Sequence, residues 1–160
     1  MNKKLFLDLT KCDECEKCEV ECAYFYKARA TEHGVLSLRE LATFALVCRR
    51  CEYSSCSTAC PREALSRRAD GVMERHNMRC VSCKSCSLAC PFGTIYPELL
   101  SFYTTNCDFC AGTGKIPPCV TSCKKNAIEY REISESPKDN IYVLSDWLAV
   151  RAPKWQKVEA

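Results

Sequence analysis

At 160 residues the chain has room for one domain or two very small ones. Sixteen cysteines make up a tenth of it, so its 47% hydrophobic content leaves only roughly 37% of ordinary apolar side chains, little for a self-sufficient core. The formal charge of +3 counts every cysteine as a neutral thiol, and no run of Lys or Arg exceeds a pair, which removes nucleic acid as a partner.

In chain order, Leu5-Phe6-Leu7-Asp8-Leu9 fits a strand. Asp8 interrupts the apolar run too early for a signal-peptide core, and no stretch is long enough to span a membrane. The expected location is the cytoplasm, with export alongside a partner left open; in a reducing compartment cysteines at this density bind metal rather than pair as disulfides. The first group follows at once, Cys12, Cys15, Cys18 and Cys22, spaced C-x2-C-x2-C-x3-C. Tyr24, Phe25 and Tyr26 come next and are expected to shield a metal site and pack the core. In the connector from Arg29 to Val47, Ser37 to Leu41 fits either a strand or a helical turn, and His33 beside Gly34 reads as a solvated loop histidine.

The second group is Cys48, Cys51, Cys56 and Cys60 followed by Pro61. From Ala64 to Arg75 two short strands are expected to fold back on Asp70-Gly71, since glycine accepts positive φ without steric cost. His76 reads as a polar loop residue. The third group is Cys80, Cys83, Cys86 and Cys90 with Pro91, and a short connector through Tyr96, Pro97 and Phe102 leads to the fourth. That group is Cys107, Cys110, Cys119 and Cys123, and Gly112, Gly114, Pro117 and Pro118 make its long gap a loop. Ala127 to Arg131 reads as a strand able to pair with Leu5 to Leu9. In the cysteine-free tail, Ile141 to Leu144 reads as a strand and Ser145 to Val150 as the start of a helix capped by Ser or Asp. Trp147 and Trp155 either anchor a partner subunit or cover the protein's own thin core.

Four groups of four thiols leave no remainder, and a 4Fe-4S cube takes four ligands, so the count closes on four clusters. In a C-x2-C-x2-C-x3-C run three thiolates hold one cube while the fourth, on the following turn, reaches another. Groups therefore work in pairs, although spacing alone leaves sequential pairing open. Each oxidised cube with its thiolates carries about −2, which turns +3 into about −5 for four sites. A zinc scaffold is the alternative use of C-x2-C pairs, but zinc ribbons place such pairs a dozen or more residues apart. With no G-x-G-x-x-G, no phosphate loop and only two histidines, the chain is expected to have no catalytic site of its own.

The stretches Cys48-Arg49-Arg50-Cys51-Glu52 with Cys56 and Cys60-Pro61, Cys90-Pro91-Phe92-Gly93, Asn106-Cys107-Asp108-Phe109-Cys110 and Pro118-Cys119-Val120 carry a resemblance. From Leu5 to about Arg131 the chain resembles the four-cluster ferredoxin-like electron-transfer subunits related to the iron-sulfur subunit of dimethyl sulfoxide reductase. Relatives in that group serve formate dehydrogenases, hydrogenases, carbon monoxide dehydrogenase and tungsten-dependent aldehyde oxidoreductases. The resemblance implies an α+β fold of two bacterial-ferredoxin-like units, one inserted in the other, with short β-hairpins and short helices around four clusters. The outer unit would be 1–47 plus 91–135, the inner unit 48–90, and 136–160 a tail that is a candidate partner-docking segment.

It also implies the ligand sets. The first group would pair with the fourth, giving Cys12, Cys15, Cys18 and Cys123 to one cluster and Cys107, Cys110, Cys119 and Cys22 to another. The second would pair with the third, giving Cys48, Cys51, Cys56 and Cys90 to a third cluster and Cys80, Cys83, Cys86 and Cys60 to a fourth. Ala23 and Lys124 stand where proline follows the last cysteine of a group, and altered loop geometry or hydrogen bonding is expected there. The implied function is that of an electron-transfer subunit in a hetero-oligomer, beside a large catalytic metalloenzyme subunit (a molybdenum or tungsten pterin enzyme, or a hydrogenase), a flavin subunit, or both. The short form resembles the small subunits of tungsten-dependent aldehyde oxidoreductases more than those of membrane complexes. A free polyferredoxin and a zinc-binding interaction scaffold are the readings from other classes.

Overall fold

The computed structural model describes residues 3–16, 18, 20–22, 33–100, 107–110 and 113–154. In chain order its elements are β1 (Lys4–Asp8), α1 (Leu9–Asp13), α2 (His33–Val47), α3 (Ser55–Thr58), β2 (Leu65–Arg67), β3 (Met73–Arg75), α4 (Ser85–Ala89), α5 (Pro118–Ser122), β4 (Ile128–Arg131), β5 (Ile141–Val143) and β6 (Leu148–Arg151). They fall into two units, one formed by Met1–Val35 and Cys107–Gln156 and the other built on Leu36–Asn106. The expectations for Ala23, Tyr24, Phe25, Tyr26, Phe102, Gly112 and Trp155 fall outside the described residues, as does the side chain of His33.

The first unit is organised on a four-stranded sheet in the order β4-β1-β6-β5. Central β1 runs antiparallel to β4, Lys4 opposite Arg131 through Leu7 opposite Ile128, and parallel to β6, Leu5 opposite Leu148 through Asp8 opposite Arg151. Strands covered on both faces read as continuous apolar runs rather than alternating ones. Leu5-Phe6-Leu7 and Leu148-Ala149-Val150 are such runs, and all six side chains are buried.

Ser145 to Val150 does not begin a helix. Ser145 Oγ does accept from the N–H groups of Trp147 and Leu148, at 3.2 and 3.1 Å, which is the chemistry of a cap. Pairing with β1 then captures the chain as β6, and Leu5 N donates to the Trp147 carbonyl at 2.9 Å. Trp147 itself is 43% exposed. Residues 136–154, expected as a separate tail, therefore supply two strands of this sheet. Asp8 ends β1 and starts α1: its Oδ1 accepts from Thr10 N and Lys11 N at 3.1 and 3.4 Å, and Arg151 sits 3.3 Å from Oδ2. The first cysteine group is launched directly from that cap.

In the second unit, α2 covers the connector whose character the sequence left open. Buried residues of α2 lie on every side of it, with Leu38, Ala42, Phe44, Ala45 and Leu46 joined by polar Ser37, Glu40 and Thr43. An all-round buried helix has no apolar stripe, so its period does not show in sequence. His33 and Gly34, read as loop, open this helix. The hairpin forms as expected, with Leu65 opposite Arg75 and Arg67 opposite Met73. Gly71 takes φ +80°, and a Cβ there would lie 3.3 Å from Arg50, so the turn demands glycine for both reasons. Phe44, Leu65, Val72, Met73, Ile95 and Leu100 form one core with Cys56 and Cys86. His76 is an exposed residue of the hairpin end, 2.8 Å from Ser66 Oγ.

Leu148→Ala tests the place of the C-terminal segment. Leu148 is 2% exposed against the central strand, so the change is expected to cost about 2–5 kcal/mol in anaerobic denaturant unfolding. A docking tail would instead leave stability unchanged.

Candidate metal centres

Three of the four cysteine groups share one local design. The third cysteine sits in a short helix, Cys56 in α3, Cys86 in α4 and Cys119 in α5, and the fourth lies at or just past its C-terminal end. The chain then turns tightly. Three residues after the fourth cysteine, Glu63, Gly93 and Asn126 take φ of 48°, 61° and 49°. Their N–H groups donate to the carbonyls of Cys60, Cys90 and Cys123 at 3.3, 3.1 and 3.1 Å. One residue later the sulfur itself gains a partner: Ala64 N donates to Cys60 Sγ at 3.2 Å, Ala127 N donates to Cys123 Sγ at 3.3 Å, and Thr94 Oγ1 lies 3.3 Å from Cys90 Sγ.

This turn corrects one expectation. Lys124 replaces the proline after Cys123, yet the turn and its N–H···S bond match those after Cys60-Pro61. The repeated hydrogen bonds, not the pyrrolidine ring, define the loop. Left-handed backbone in a non-glycine residue costs of order 1–3 kcal/mol and persists where its surroundings enforce it. Ser82 and Phe109 take φ of 55° and 57°, and their N–H groups donate to Cys80 Sγ and Cys107 Sγ at 3.4 and 3.3 Å.

The loops bring cysteines together in fours. Cys60, Cys80, Cys83 and Cys86 line a pocket of about 350 Å³, counting its open mouth, with Arg75 and Leu100 in the wall. Cys48, Cys51, Cys56 and Cys90 line another of about 370 Å³ with Phe44, Met73 and Ile95. Each pocket takes three cysteines from one group and the fourth from the other, so Cys90 stands with Cys48 and not with its neighbours in sequence. In the other unit Cys22, Cys107, Cys110 and Cys119 lie within electrostatic reach of one another. For Cys12, Cys15 and Cys123 the structure shows a neighbourhood. Cys15 N donates to Cys12 O at 3.3 Å, and Lys11 beside Cys12 donates through Nζ to the Asn126 carbonyl in the Cys123 turn at 3.3 Å.

Among the described residues no three His, Cys, Asp or Glu side chains close on a single metal ion. Tetrahedral zinc needs its sulfurs about 2.3 Å from the ion, which draws them tightly together. Here the thiols of each pocket stand around a space, as the donor set of a polynuclear cluster does.

Electrostatics support the same conclusion. Burial pushes the thiols of Cys107 and Cys119 up to about 12 and that of Cys86 up to about 11, and neighbouring thiols add to each rise. Cys56 and Cys110 also rise, burial being the main cause in both. Two thiols move the other way. Ser85, 3.4 Å away, lowers Cys83, and at Cys90 the effect of burial is outweighed by hydrogen bonds from Thr94, Phe92 and Gly93. Four neighbouring thiols partly withdrawn from water resist ionising together, and a multivalent cation relieves that resistance. An iron-sulfur core is such a cation.

Small mixed α and β units with thiols gathered in fours and N–H donors aimed at sulfur define an iron-sulfur electron-transfer protein. The chain belongs to the 4Fe-4S dicluster domain family, which matches residues 39–133. It is 32% identical to the "Putative electron transport protein YsaA" of Escherichia coli (strain K12), over 84% of this chain and 93% of that protein. It is 30% identical to one subunit of the anaerobic dimethyl sulfoxide reductase of the same organism, over 83% of this protein and 75% of that subunit. The thiosulfate reductase electron transfer subunit PhsB of Salmonella typhi is 28% identical over 81% and 75% of the two proteins. The cofactors are 4Fe-4S clusters, and sixteen cysteines suffice for four.

The residues around the sulfurs were less accessible to sequence reasoning. Ser85 and Thr94 stand two and four residues after a cysteine, an offset that could have drawn attention. Arg75 and its partner Glu40 are 35 residues apart and carried no signal. Elemental analysis of anaerobically isolated protein is expected to give about sixteen iron and sixteen inorganic sulfide per chain. Zinc in place of iron would overturn the cluster reading.

Proposed function

We propose that the chain is the electron-transfer subunit of an oxidoreductase complex, relaying single electrons along four 4Fe-4S clusters between a catalytic subunit and a second redox partner. The observation that carries this reading is the lining of the two pockets described above. Each offers four cysteines and no histidine or carboxylate, so each cluster is fully ligated and no iron is left open to a substrate. A bound cluster supplies reversible one-electron chemistry. The protein supplies ligation, burial and hydrogen bonds to sulfur, which set the potential.

The ligand sets we assign are Cys48, Cys51, Cys56 with Cys90; Cys80, Cys83, Cys86 with Cys60; Cys107, Cys110, Cys119 with Cys22; and Cys12, Cys15, Cys18 with Cys123. The Cys90 assignment is the sharpest to test. Cys90→Ser is expected to impair the cluster of Cys48, Cys51 and Cys56, seen as loss or change of one paramagnetic signal, and to leave the cluster of Cys80, Cys83 and Cys86 intact. Damage confined to the latter would overturn the pairing.

Partners follow from the absence of a catalytic constellation. A large subunit with a molybdenum or tungsten pterin site is the catalytic neighbour we favour. The names of the relatives support a dimethyl sulfoxide or thiosulfate reductase type. Tyr53, Leu88 and Phe92, at 86%, 88% and 56% exposure, place apolar surface on or beside the cysteine loops, which suits a protein contact there. Among the described residues no helix is long and apolar enough to cross a membrane. A free electron carrier is the second reading, supported by the likeness to a relative named as an electron transport protein.

Anaerobic native chromatography separates the two. Co-elution with a large metalloenzyme, identified by mass spectrometry, is expected. Elution as a lone chain of 160 residues would favour the carrier and overturn the subunit.

A further inference from the structure

Strand β3 turns Met73 and Arg75 inward and Glu74 out. The two inward residues go to different places: Met73 lines the Cys48 pocket and Arg75 the Cys80 pocket. One face of one strand therefore gives an apolar side chain to the first site and a permanent cation to the second. Arg75 is only 5% exposed, a rare position for a guanidinium.

Glu40 of α2 holds it there. Arg75 Nε donates to Glu40 Oε1 and Nη2 to Oε2, both at 2.6 Å, the bidentate fork that fixes a guanidinium plane. Arg75 and Cys80 line the same pocket and lie within electrostatic reach of each other. The pocket wall contains Arg75 and not Glu40, so the positive end of the pair faces the four thiols. A buried ion pair is a poor way to gain stability, because desolvation cancels much of the attraction. Its position in the wall of a cysteine pocket gives it another use.

We propose that Arg75 sets the reduction potential of the cluster site formed by Cys60, Cys80, Cys83 and Cys86, holding it higher than the thiolates alone would allow, with Glu40 as the positioning residue. The inference rests on reading those four thiols as cluster ligands. Reduction adds one electron to a site that already carries about −2 with its thiolates; no bond forms or breaks and no proton is required. A fixed cation in low dielectric stabilises the added charge. Arg49 in the wall of the Cys48 pocket is exposed, lying over the Phe92 ring at 5.8 Å, and solvent weakens its effect.

The test is a redox titration of the anaerobically isolated full chain, with any subunits that accompany it, using dithionite as the one-electron reductant and paramagnetic resonance as the readout. The relevant centre is the one whose signal changes in Cys83→Ser. Arg75→Gln is expected to reduce the equilibrium constant for reduction of that centre about tenfold, a shift of about 59 mV to lower potential, and to leave the other centres in place. Arg75→Lys, which keeps the charge, is expected to shift it less. Glu40→Gln keeps an amide oxygen to accept from the guanidinium but removes the opposing charge, and is expected to shift the same centre upward.

Opposite shifts in the two Gln variants support the proposal, since mere loosening of the site would move both alike. Shifts of the same sign, or none, overturn it. Where Arg75→Gln fails to retain iron, Glu40→Gln decides alone: a rise supports the proposal and no rise overturns it. Wild-type protein lacking about sixteen iron, or lacking four titrating centres, would defeat the cluster reading first and this proposal with it.

Discussion

The physical constraint on which this structure depends is the gathering of ionised thiols away from water. Left to themselves they resist, as the upward displacement of the buried Cys86 thiol and the partly buried thiols of Cys107 and Cys119 shows. Two things relieve the repulsion: a cationic core, and backbone N–H groups aimed at sulfur, of which those of Ala64, Ser82, Phe109 and Ala127 are examples. Only the second belongs to the polypeptide. The core of the second unit consequently includes cysteines as members, with Cys56 and Cys86 buried among Phe44, Leu65, Met73 and Leu100. In such a chain, acquiring the cofactor is part of acquiring the fold.

The scaffold around the thiols is built from few parts. A short helix carries the third cysteine, a left-handed turn follows the fourth, and after Cys60 and Cys123 a strand carries the chain away. Asp8 shows how closely these parts are joined. It closes β1, caps α1 on the way to Cys12, and holds Arg151 at the end of β6. A change at this carboxylate would reach the sheet and the first cysteine loop together. The turn after Cys123 shows what such a loop needs. Asn126 tolerates the left-handed conformation well, and with the N–H of Ala127 on sulfur the proline found after Cys60 and Cys90 is dispensable.

What was legible in the sequence was local or countable. The cysteine groups, the Asp70-Gly71 hairpin, and β1 with its partner β4 all announce themselves through spacing, turn chemistry or apolar runs. Helix α2 did not, because a helix buried on all sides lacks the stripe from which a period is read, and His33-Gly34 looked like a loop. Strand β6 misled for the opposite reason. Ser145 makes the local hydrogen bonds of a cap, and only the parallel pairing with Leu5 to Asp8, at the far end of the sequence, decides that a strand follows. Arg75 belongs to a third class. Nothing in Met73-Glu74-Arg75 says that the arginine points inward, since its carboxylate partner lies on α2 and the thiols it faces lie on either side of the hairpin.

That third class is where an electron-transfer protein acquires its individuality. Four cubes with four thiolates each are chemically alike, and alike sites give an electron no preferred resting place. Differences must come from what surrounds the sulfurs: solvent, N–H donors, hydroxyls such as Ser85 and Thr94, and fixed charges. The second unit shows the minimum needed. A strand of three residues, alternating as strands do, sends Met73 to one pocket and Arg75 to the other, and a carboxylate from α2 keeps the charged one in place. The asymmetry needs no change in ligand and no change in the cysteine loops. It can therefore vary from one protein to another while the sixteen cysteines stay as they are, and cysteine spacing alone identifies the wire but not the level of its steps.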